Sequence, residues 1–273
     1  MRFGQLTIVT FLTIAGGLCV PASAQQPPTG VWIADPKTGC RVQNVKPEPG
    51  ESVRWNGGRQ NGLAQGRGTL DWFKNGQPNG RTEGEWKAGI LNGRALTTWP
   101  DGRRYEGEVR NGDLNGRGIM TFPNGIRVDA TFRDGKMNGR GRLTGAPGGT
   151  LDADFVDDIA VRGVWSYANG NKYEGELKDF KPNGKGKMSQ KNGTSYEGDF
   201  KDGNWEGHAV VHYAVGDVYE GEWKGLYPNG RGTLHRKTGS FSGIWVEGCL
   251  SNANSDNGLW ATAGKSGAEC GFH

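Results

Sequence analysis

Apolar and polar side chains alternate in a short segment that is clearest from Tyr105 onward. Tyr105 and Val109 fall on one side of an extended chain, while Glu106 and Glu108 fall on the other. Because successive side chains of a strand point to opposite faces, this alternation predicts a β-strand with one apolar and one charged face. A second apolar run at Gly118–Phe122 predicts a second strand downstream.

Turn-forming sequences separate the two predicted strands and close the unit. Asn111-Gly112 and Asn115-Gly116 bracket the connection between the strands, and Pro123-Asn124-Gly125 turns the chain back after the second one. Asn-Gly pairs accept positive φ angles at little cost, which is why they mark hairpin connections. The unit is therefore predicted to be a β-hairpin.

This unit recurs along most of the chain at a spacing of 22 or 23 residues. Nine positions hold its central small residue: Gly57, Gly84, Gly107, Ala130, Ala153, Gly175, Gly198, Gly221 and Gly243. Only the first spacing is longer, at 27 residues, which places an insertion around residues 73–81. Fixed-period repetition predicts an array in which each unit buries its apolar surface against its neighbours.

The apolar positions keep their register from unit to unit, so stacked hairpins would join them into stripes. Apolar residues stand two places before and after most of the central positions, as Tyr105 and Val109 do around Gly107. The second strands are predicted to add Leu70, Leu96, Met120, Leu143, Trp165, Met188, Val211 and Leu234. We expect the missing side chain of the central glycine to leave room for a neighbouring aromatic ring.

Aromatic members of these stripes form the candidate binding face. They are Trp86, Trp99, Tyr105, Phe122, Tyr173, Tyr196, Tyr213, Tyr219 and Trp223. In a single-layer sheet the apolar face is only partly covered, so exposed rings could bind a peptide, a glycan or lipid headgroups. The alternative, which we favour from the residues alone, is that the rings pack together and hold successive hairpins in place.

The opposite face has a regular pattern of charges. Acids such as Glu106 and Glu108 occupy the first strands, and a base such as Arg117 precedes the second-strand glycine. Cross-strand pairs of this kind are worth roughly 0.2–1 kcal/mol each. The chain as a whole has a net charge of +4. A nucleic-acid-binding protein would need a strongly basic face, so no nucleic acid is predicted as a partner.

The phrase Tyr-Glu-Gly-Glu-Trp-Lys at 219–224, followed by Asn-Gly-x-Gly-x-Leu at 229–234, resembles the MORN repeat, named for membrane occupation and recognition nexus. The resemblance covers residues 55–248, or about eight to nine units. It implies an all-β fold: an elongated single-layer antiparallel sheet of consecutive β-hairpins. The copies around Ala130 and Ala153 depart most from the pattern, and Asp157-Asp158 replaces a glycine turn there. A bend or local irregularity is expected between positions 130 and 165.

The N-terminal part of the chain does not repeat. Residues 1–24 have the positive start, short apolar core and small-residue cleavage site of an export signal. A mature periplasmic or extracellular protein is therefore predicted after cleavage near Ala24. Residues 25–54 are rich in proline and are expected to be a lead-in that covers the first edge strand.

Residues 249–273 do not repeat either and are expected to form a C-terminal cap. An exported chain tolerates disulfides, and Cys249 and Cys270 flank this one segment. We predict a disulfide between them, closing a loop worth about 3 kcal/mol in the chain-entropy treatment. Cys40 is then the odd thiol, which is free, buried or open to a partner chain.

No catalytic, cofactor-binding or metal-binding motif stands out in the sequence. His208 and His212 are four apart on a predicted strand, about 13 Å from each other, which is too far for one metal ion. Gly184-Lys185-Gly186-Lys187 lacks the spacing of a phosphate loop. The carboxylates recur at equal intervals, and no pair differs from its copies in the way a catalytic pair should.

The sequence therefore favours a non-catalytic, exported scaffold that binds another protein or its own copies. Carbohydrate or cell-wall binding is an alternative, because flat aromatic rings stack on sugar rings. Membrane-lipid binding is a weaker alternative, since there is no continuous basic patch and no amphipathic helix outside the export signal. Partner capture, pulldown on insoluble glycans and sedimentation with anionic liposomes would discriminate the three.

Overall fold

The computed structural model describes residues 30–146, 148–251, 262, 263 and 270. These residues form β-strands joined by short turns. The export signal predicted at residues 1–24 lies outside the described residues. Within them, no helix is long and apolar enough to cross a membrane.

The described residues contain 20 strands in one sheet. Their bounds are β1 Val31–Ala34, β2 Arg41–Asn44, β3 Glu51–Gln60, β4 Leu63–Lys74, β5 Gln77–Lys87, β6 Ile90–Thr98, β7 Arg104–Arg110, β8 Asp113–Thr121, β9 Arg127–Arg133, β10 Lys136–Ala146, β11 Gly149–Val156, β12 Ile159–Ser166, β13 Lys172–Lys178, β14 Lys181–Ser189, β15 Ser195–Lys201, β16 Asn204–His212, β17 Val218–Gly225, β18 Tyr227–Arg236, β19 Gly239–Val246 and β20 Cys249–Leu250.

The strands from β3 to β20 pair antiparallel in the order of the chain, each with the next. The hairpin β1–β2 joins this meander through a parallel pairing of Arg41 with Leu63 in β4. The predicted all-β sheet of consecutive hairpins is therefore confirmed. Every strand of the meander except β3 and β20, its two ends, has a neighbour on each side.

Each hairpin of the meander turns in two residues, which is tighter than predicted. Between β7 and β8 the turn consists of Asn111 and Gly112, with φ of 52° and 81°. Positive φ at both positions is typical of a type I′ turn, whose twist matches that of the flanking strands. Gly116 lies inside β8, beside a register shift in the pairing with β7. The second Asn-Gly pair therefore belongs to a β-bulge and not to the connection.

The insertion predicted around residues 73–81 lengthens two strands instead of forming a loop. β4 and β5 have 12 and 11 residues, and they meet at a turn that follows Lys74. The pairing of Lys74 with Gln77 is the last in this longer ladder. The extra residues are thus absorbed as additional pairs of the sheet.

The space above the central glycine is filled by a tyrosine ring, as expected. A Cβ placed on Gly107 would lie 2.4 Å from the hydroxyl oxygen of Tyr105, and one on Gly118 would lie 2.4 Å from its ring. Gly107 and Gly118 pair across β7 and β8. The ring of Tyr105 therefore lies over a pair of glycines, and a side chain at either position would collide with it.

The prediction that Leu96 belongs to the apolar stripe is wrong. Leu96 pairs with Glu83, so it lies on the charged face and is only partly buried. Ala95 takes the place of the second-strand glycine opposite Gly84. The apolar position two residues further on is therefore Thr97, whose hydroxyl lies 3.3 Å from that of Thr82.

The two most degenerate copies keep the sheet continuous. Asp157 and Asp158 form the two-residue turn between β11 and β12, with φ of 48° and 72°. The amide N–H of Met137 donates to the carboxylate of Asp158 at 2.8 Å. This turn is regular, because two aspartates adopt the conformation that Asn-Gly adopts elsewhere. Within the range 130–165 where an irregularity was expected, the pairing of β10 with β11 shifts register between Leu143 and Ala146.

The segment before the array folds back over the first hairpins. Cys40 and Val42 are buried in one apolar cluster with Trp55 and Trp86. The carboxylate of Asp35 accepts a hydrogen bond from the backbone N–H of Trp55 at 2.9 Å. Burial raises the pKa of Asp35, but the backbone N–H donors around it outweigh burial and hold the pKa below its usual value. The carboxylate of Asp35 thus attaches the segment before the array to β3, the first strand of the meander.

A disulfide joins Cys249 and Cys270 near the C-terminal end. Cys249 begins β20, which pairs with the end of β19. Cys40 is a free thiol, and its relative exposure is 1%. Of the outcomes left open for Cys40, the structure thus shows a free thiol that is buried.

Candidate binding surface

Six of the nine aromatic residues in the candidate binding face are buried. They are Trp86, Tyr105, Tyr173, Tyr196, Tyr219 and Trp223. Their relative exposures are 0% for the tyrosines, 3% for Trp86 and 4% for Trp223. In this packing they offer no surface to a ligand.

The buried rings join neighbouring hairpins. Tyr105 contacts Phe132 of the next hairpin edge to face, with ring centroids 5.6 Å apart. Tyr219 contacts Trp245 in the same way at 5.5 Å. Such pairs add about 0.5–1.5 kcal/mol beyond the burial of their area. These contacts are the ones that the packing interpretation predicts.

The tyrosine hydroxyls are satisfied by the backbone. The hydroxyl of Tyr105 donates to the carbonyl of Glu108 at 2.8 Å, and Tyr219 repeats the bond with Glu222 at 3.0 Å. Burial, with the nearby negative charge of Glu108, raises the pKa of Tyr105 to about 12. The same causes raise the pKa of Tyr219 above its usual value. The neutral, hydrogen-bonded phenol is therefore the form that the fold requires.

The remaining three candidates are partly exposed and occupy one equivalent place. Trp99, Phe122 and Tyr213 each begin the turn that connects one hairpin to the next. Their backbone N–H groups donate to the carbonyl four residues ahead, at 2.8–2.9 Å. Tyr167 occupies the same place and was missed as a candidate, although its position in the repeat would have identified it. We call these four side chains the aromatic row.

Polar and aromatic groups flank the members of this row. The guanidinium of Arg103 lies 5.3 Å from the ring centroid of Trp99. Tyr167 stacks on Trp165 with centroids 5.2 Å apart and planes 13° apart. Tyr213 has a buried hydroxyl without a hydrogen-bond partner in the described part of the chain. The row thus combines flat apolar surface with a few polar groups, as recognition surfaces do.

The opposite face has the cross-strand ion pairs that the charge pattern predicts. Lys185 lies 2.7 Å from Asp199, and Arg140 lies 3.6 Å from Asp154, in both cases between neighbouring strands. These side chains are largely exposed, so each pair contributes at most about 1 kcal/mol.

An open hollow of about 550 Å³ lies on this charged face near the middle of the array. Its charged lining consists of Arg117, Arg140, Arg142, Arg162, Asp129, Asp152, Asp154 and Glu174. Four positive and four negative groups leave it without a net charge to select a ligand.

No group of three metal-ligating side chains comes together in the described residues. His208 and His212 are both exposed along β16.

An open sheet of consecutive hairpins, joined by rings that repeat once in each unit, defines a β-hairpin repeat protein. The MORN repeat model matches seven segments that together span more than half of the chain, residues 60–77, 83–103, 105–127, 129–150, 173–195, 196–218 and 219–241. The chain belongs to the MORN repeat family. Repeats of this family typically bind proteins or membranes, and proteins built from them are generally non-catalytic.

No curated protein matches the chain. Among solved structures, it is similar to the TCP domain of SAS-4 (dCPAP) of Drosophila melanogaster, solved in complex with a proline-rich motif of Ana2 (dSTIL). The similarity covers 55% of this chain and 83% of that domain, with 13% identity and a TM-score of 0.37. A similarity at this level says nothing about what the present chain binds.

Proposed function

We propose that this protein is an exported, non-catalytic scaffold that binds another protein along the aromatic row. The observation behind the proposal is that the candidate rings divide into two sets. The buried set holds the sheet together, and the partly exposed set recurs at one place in several hairpins. Trp99 and Tyr213 follow β6 and β16, ten strands apart, or roughly 48 Å at about 4.8 Å per strand before twist. A surface of this length suits an extended segment or a second elongated protein.

Export is supported by two features of the chain. Residues 1–24 have the composition of a signal peptide. The disulfide between Cys249 and Cys270 belongs in an oxidising compartment. Immunoblots of whole cells and of separated cell fractions test export. A full-length protein retained in the cytosol would contradict it.

The test of partner binding is affinity capture of the oxidised mature protein, residues 25–273, from its native compartment, read by mass spectrometry. The test variant is Trp99→Ala with Phe122→Ala, which truncates two rings of the aromatic row. The control is Ile244→Ala, which truncates a partly exposed apolar side chain in the lining of the charged face. We expect a partner that wild type and control retain and the double variant loses.

Equal capture by all three proteins would show that the aromatic row is not the binding surface. Self-association is the other half of the scaffold proposal. Size-exclusion chromatography with light scattering measures it directly. A monomer at the highest attainable concentration would remove self-assembly and leave partner binding.

Glycan binding is the second candidate, and one observation favours it. Trp165 of β12 and Tyr167 in the following turn form a flat stacked pair, and flat rings present the kind of surface on which sugar rings stack. Pulldown on insoluble glycans with wild type and Tyr167→Ala separates the candidates. Retention of wild type alone would favour a glycan, and no retention of either would favour a protein.

A further inference from the structure

The hairpin tips form a regular line along the margin of the sheet opposite the aromatic row. In six hairpins of the described chain the second turn residue donates its N–H to a carbonyl in the preceding hairpin; these residues are Gly89, Gly112, Gly135, Asp158, Gly203 and Gly248. Gly89 donates to Ala64 at 2.8 Å, and Gly112 donates to Leu91 at 2.9 Å. These bonds hold the tips in line, and they leave the carbonyl of each tip glycine for another donor.

The N-terminal segment of the chain uses these tip carbonyls. The N–H of Arg41 donates to Gly62 at 2.9 Å, and the N–H of Gln43 donates to Gly89 at 2.8 Å. Two residues of an extended chain therefore span one hairpin of the array. Between them Val42 is fully buried in the apolar cluster beneath.

The same segment continues toward the next tips. Lys46 places its ammonium group 3.2 Å from the carboxylate of Asp113. Near the other end of the array, the N–H of Ala263 donates to the carbonyl of Gly248 at 2.8 Å. The backbone of residue 263 thus makes the same kind of bond to a tip carbonyl as Arg41 and Gln43 make, so backbone donors from outside the array bind the tip row near both of its ends.

The middle of the row has no such cover. The tip residues Gly135, Asp158, Phe180 and Gly203 accept no backbone hydrogen bond at their carbonyls in the described part of the chain. The central tips therefore repeat the covered geometry with the covering chain missing.

The charge of the turns changes where the cover ends. The first turn residue is neutral in the three hairpins next to the N-terminal segment, namely Asn61, Ala88 and Asn111. In the next four hairpins it is an aspartate, namely Asp134, Asp157, Asp179 and Asp202. Within the described residues none of these four carboxylates has an ion pair, although those of Asp134, Asp157 and Asp202 each accept a hydrogen bond from an asparagine side chain of the preceding hairpin. The bases beside these turns lie on the charged face by alternation; they are Arg133, Lys136, Lys178, Lys181 and Lys201.

We propose that the hairpin tips from Asp134-Gly135 to Asp202-Gly203 bind an extended, basic segment of a partner protein. The segment lies across the tips as residues 41–43 lie across the first two. Every second N–H donates to a tip carbonyl, and lysine or arginine side chains pair with the four aspartates. The addition of an extended chain through its backbone is a general mode of peptide recognition. This interface is separate from the aromatic row and does not depend on it.

The probe is a fluorescent peptide with the sequence of residues 38–46, in which serine replaces Cys40. It provides the extended backbone, Arg41 and Lys46. Fluorescence anisotropy measures its binding to the mature oxidised protein. The protein variant is Asp134→Asn, Asp157→Asn, Asp179→Asn and Asp202→Asn together. Asparagine occupies the same turn position at residues 61 and 111, so the turns are retained. We expect binding to weaken by about tenfold or more and to depend on salt.

A second probe removes the backbone donors and leaves the protein unchanged. It is the same peptide with N-methyl groups at the positions of Arg41 and Gln43, and we expect its binding to be lost. The Trp99→Ala, Phe122→Ala protein should bind the first peptide as wild type does, which separates this interface from the aromatic row.

Three results would overturn the proposal. The first is the absence of saturable binding of the unmethylated peptide up to about 1 mM. The second is equal binding of the methylated peptide or equal binding to the asparagine variant. The third is a dimer that excess peptide converts to a monomer, which would assign the tips to the N-terminal segment of a second copy.

Discussion

At the scale of single residues, the sheet depends on the match between a large ring and a missing side chain. Tyr105 lies over Gly107 and Gly118, and no Cβ fits at either glycine. Where the central residue is Ala130, the position two residues earlier is Val128 and not tyrosine. In this unit the central residue and the residue two positions before it therefore both differ from the Tyr–Gly pair of Tyr105 and Gly107.

Gly107→Ala should destabilise the protein by about 1–3 kcal/mol, because the new methyl group overlaps the Tyr105 ring. Adding Tyr105→Val copies the pair found at Val128 and Ala130. The double variant should cost less than the sum of the two single variants by about 1 kcal/mol, as coupled neighbours do. Urea unfolding of the four proteins measures this coupling, and simple additivity would contradict the contact.

Stability should fall at high pH because of the buried tyrosines. The pKa of Tyr105 is raised from 10.0 to about 12, so the folded state favours the neutral phenol. The stabilisation is complete below pH 10, where the unfolded phenol is also neutral, and it is lost as pH rises from 10 toward 12. Urea midpoints between pH 8 and 12 test this, and Tyr105→Phe should flatten the decline. A midpoint independent of pH would contradict it.

The residue types of the candidate face could be read from the sequence, but their exposure could not. Trp86 and Trp99 both looked like members of an open aromatic surface. Trp86 is buried because Cys40 and Val42 fold back over its cluster, whereas Trp99 lies in a connecting turn. Alternation gives the face of a side chain, and only the neighbouring chain determines whether that face is covered.

At the scale of the hairpin, the turn geometry determines the fit of each unit to the next. The two turn residues of β7–β8 have positive φ, and the N–H of the second one bonds back to the preceding hairpin. Asn-Gly suits such turns, and most units use a similar pair. Ala88, with φ of 49°, departs from this rule.

Ala88→Asn should stabilise the protein by about 0.5–1 kcal/mol, since asparagine adopts the left-handed region at lower cost than alanine. Asn111→Ala is the matched reverse change and should destabilise by a similar amount. Thermal unfolding of both variants measures the effect. If the two shifts had the same sign, the turn conformation would not be the cause.

The element boundaries show where sequence patterns mislead. Both Asn-Gly pairs of a unit look like turn residues, yet only Asn111-Gly112 connects the strands and Gly116 belongs to a bulge. Leu96 was placed on the wrong face because Ala95 replaces the glycine that marks the register. A bulge shifts the register by one residue, and the sequence does not show on which strand it falls.

At the scale of the whole molecule, each hairpin contacts mainly its neighbours. β7 pairs with β6 and β8, and the rings of its hairpin pack against the next one. Stability in such an array is a sum of units and nearest-neighbour terms. A change that disrupts one unit should therefore destabilise mainly that unit and its nearest neighbours.

Replacing Cys249 and Cys270 together by serine opens a loop with a sequence separation of 21. We expect a loss of about 3 kcal/mol, confined to the C-terminal strands. Hydrogen exchange of wild type and variant measures this strand by strand. Amides of β19 and β20 should exchange faster, while those of β5–β8 keep their protection. Uniform loss of protection would contradict a modular array.

The sequence by itself determined the class of this protein. A period of 22 or 23 residues, strict alternation and Asn-Gly turns are local properties, and they suffice to predict consecutive hairpins in one sheet. The tertiary structure decided which rings are buried, how the bulges set the register and where residues 41–46 lie. Each of these depends on contacts between segments distant in the chain, and no local pattern encodes such contacts. The aromatic row and the uncovered tips are therefore visible only in the folded molecule.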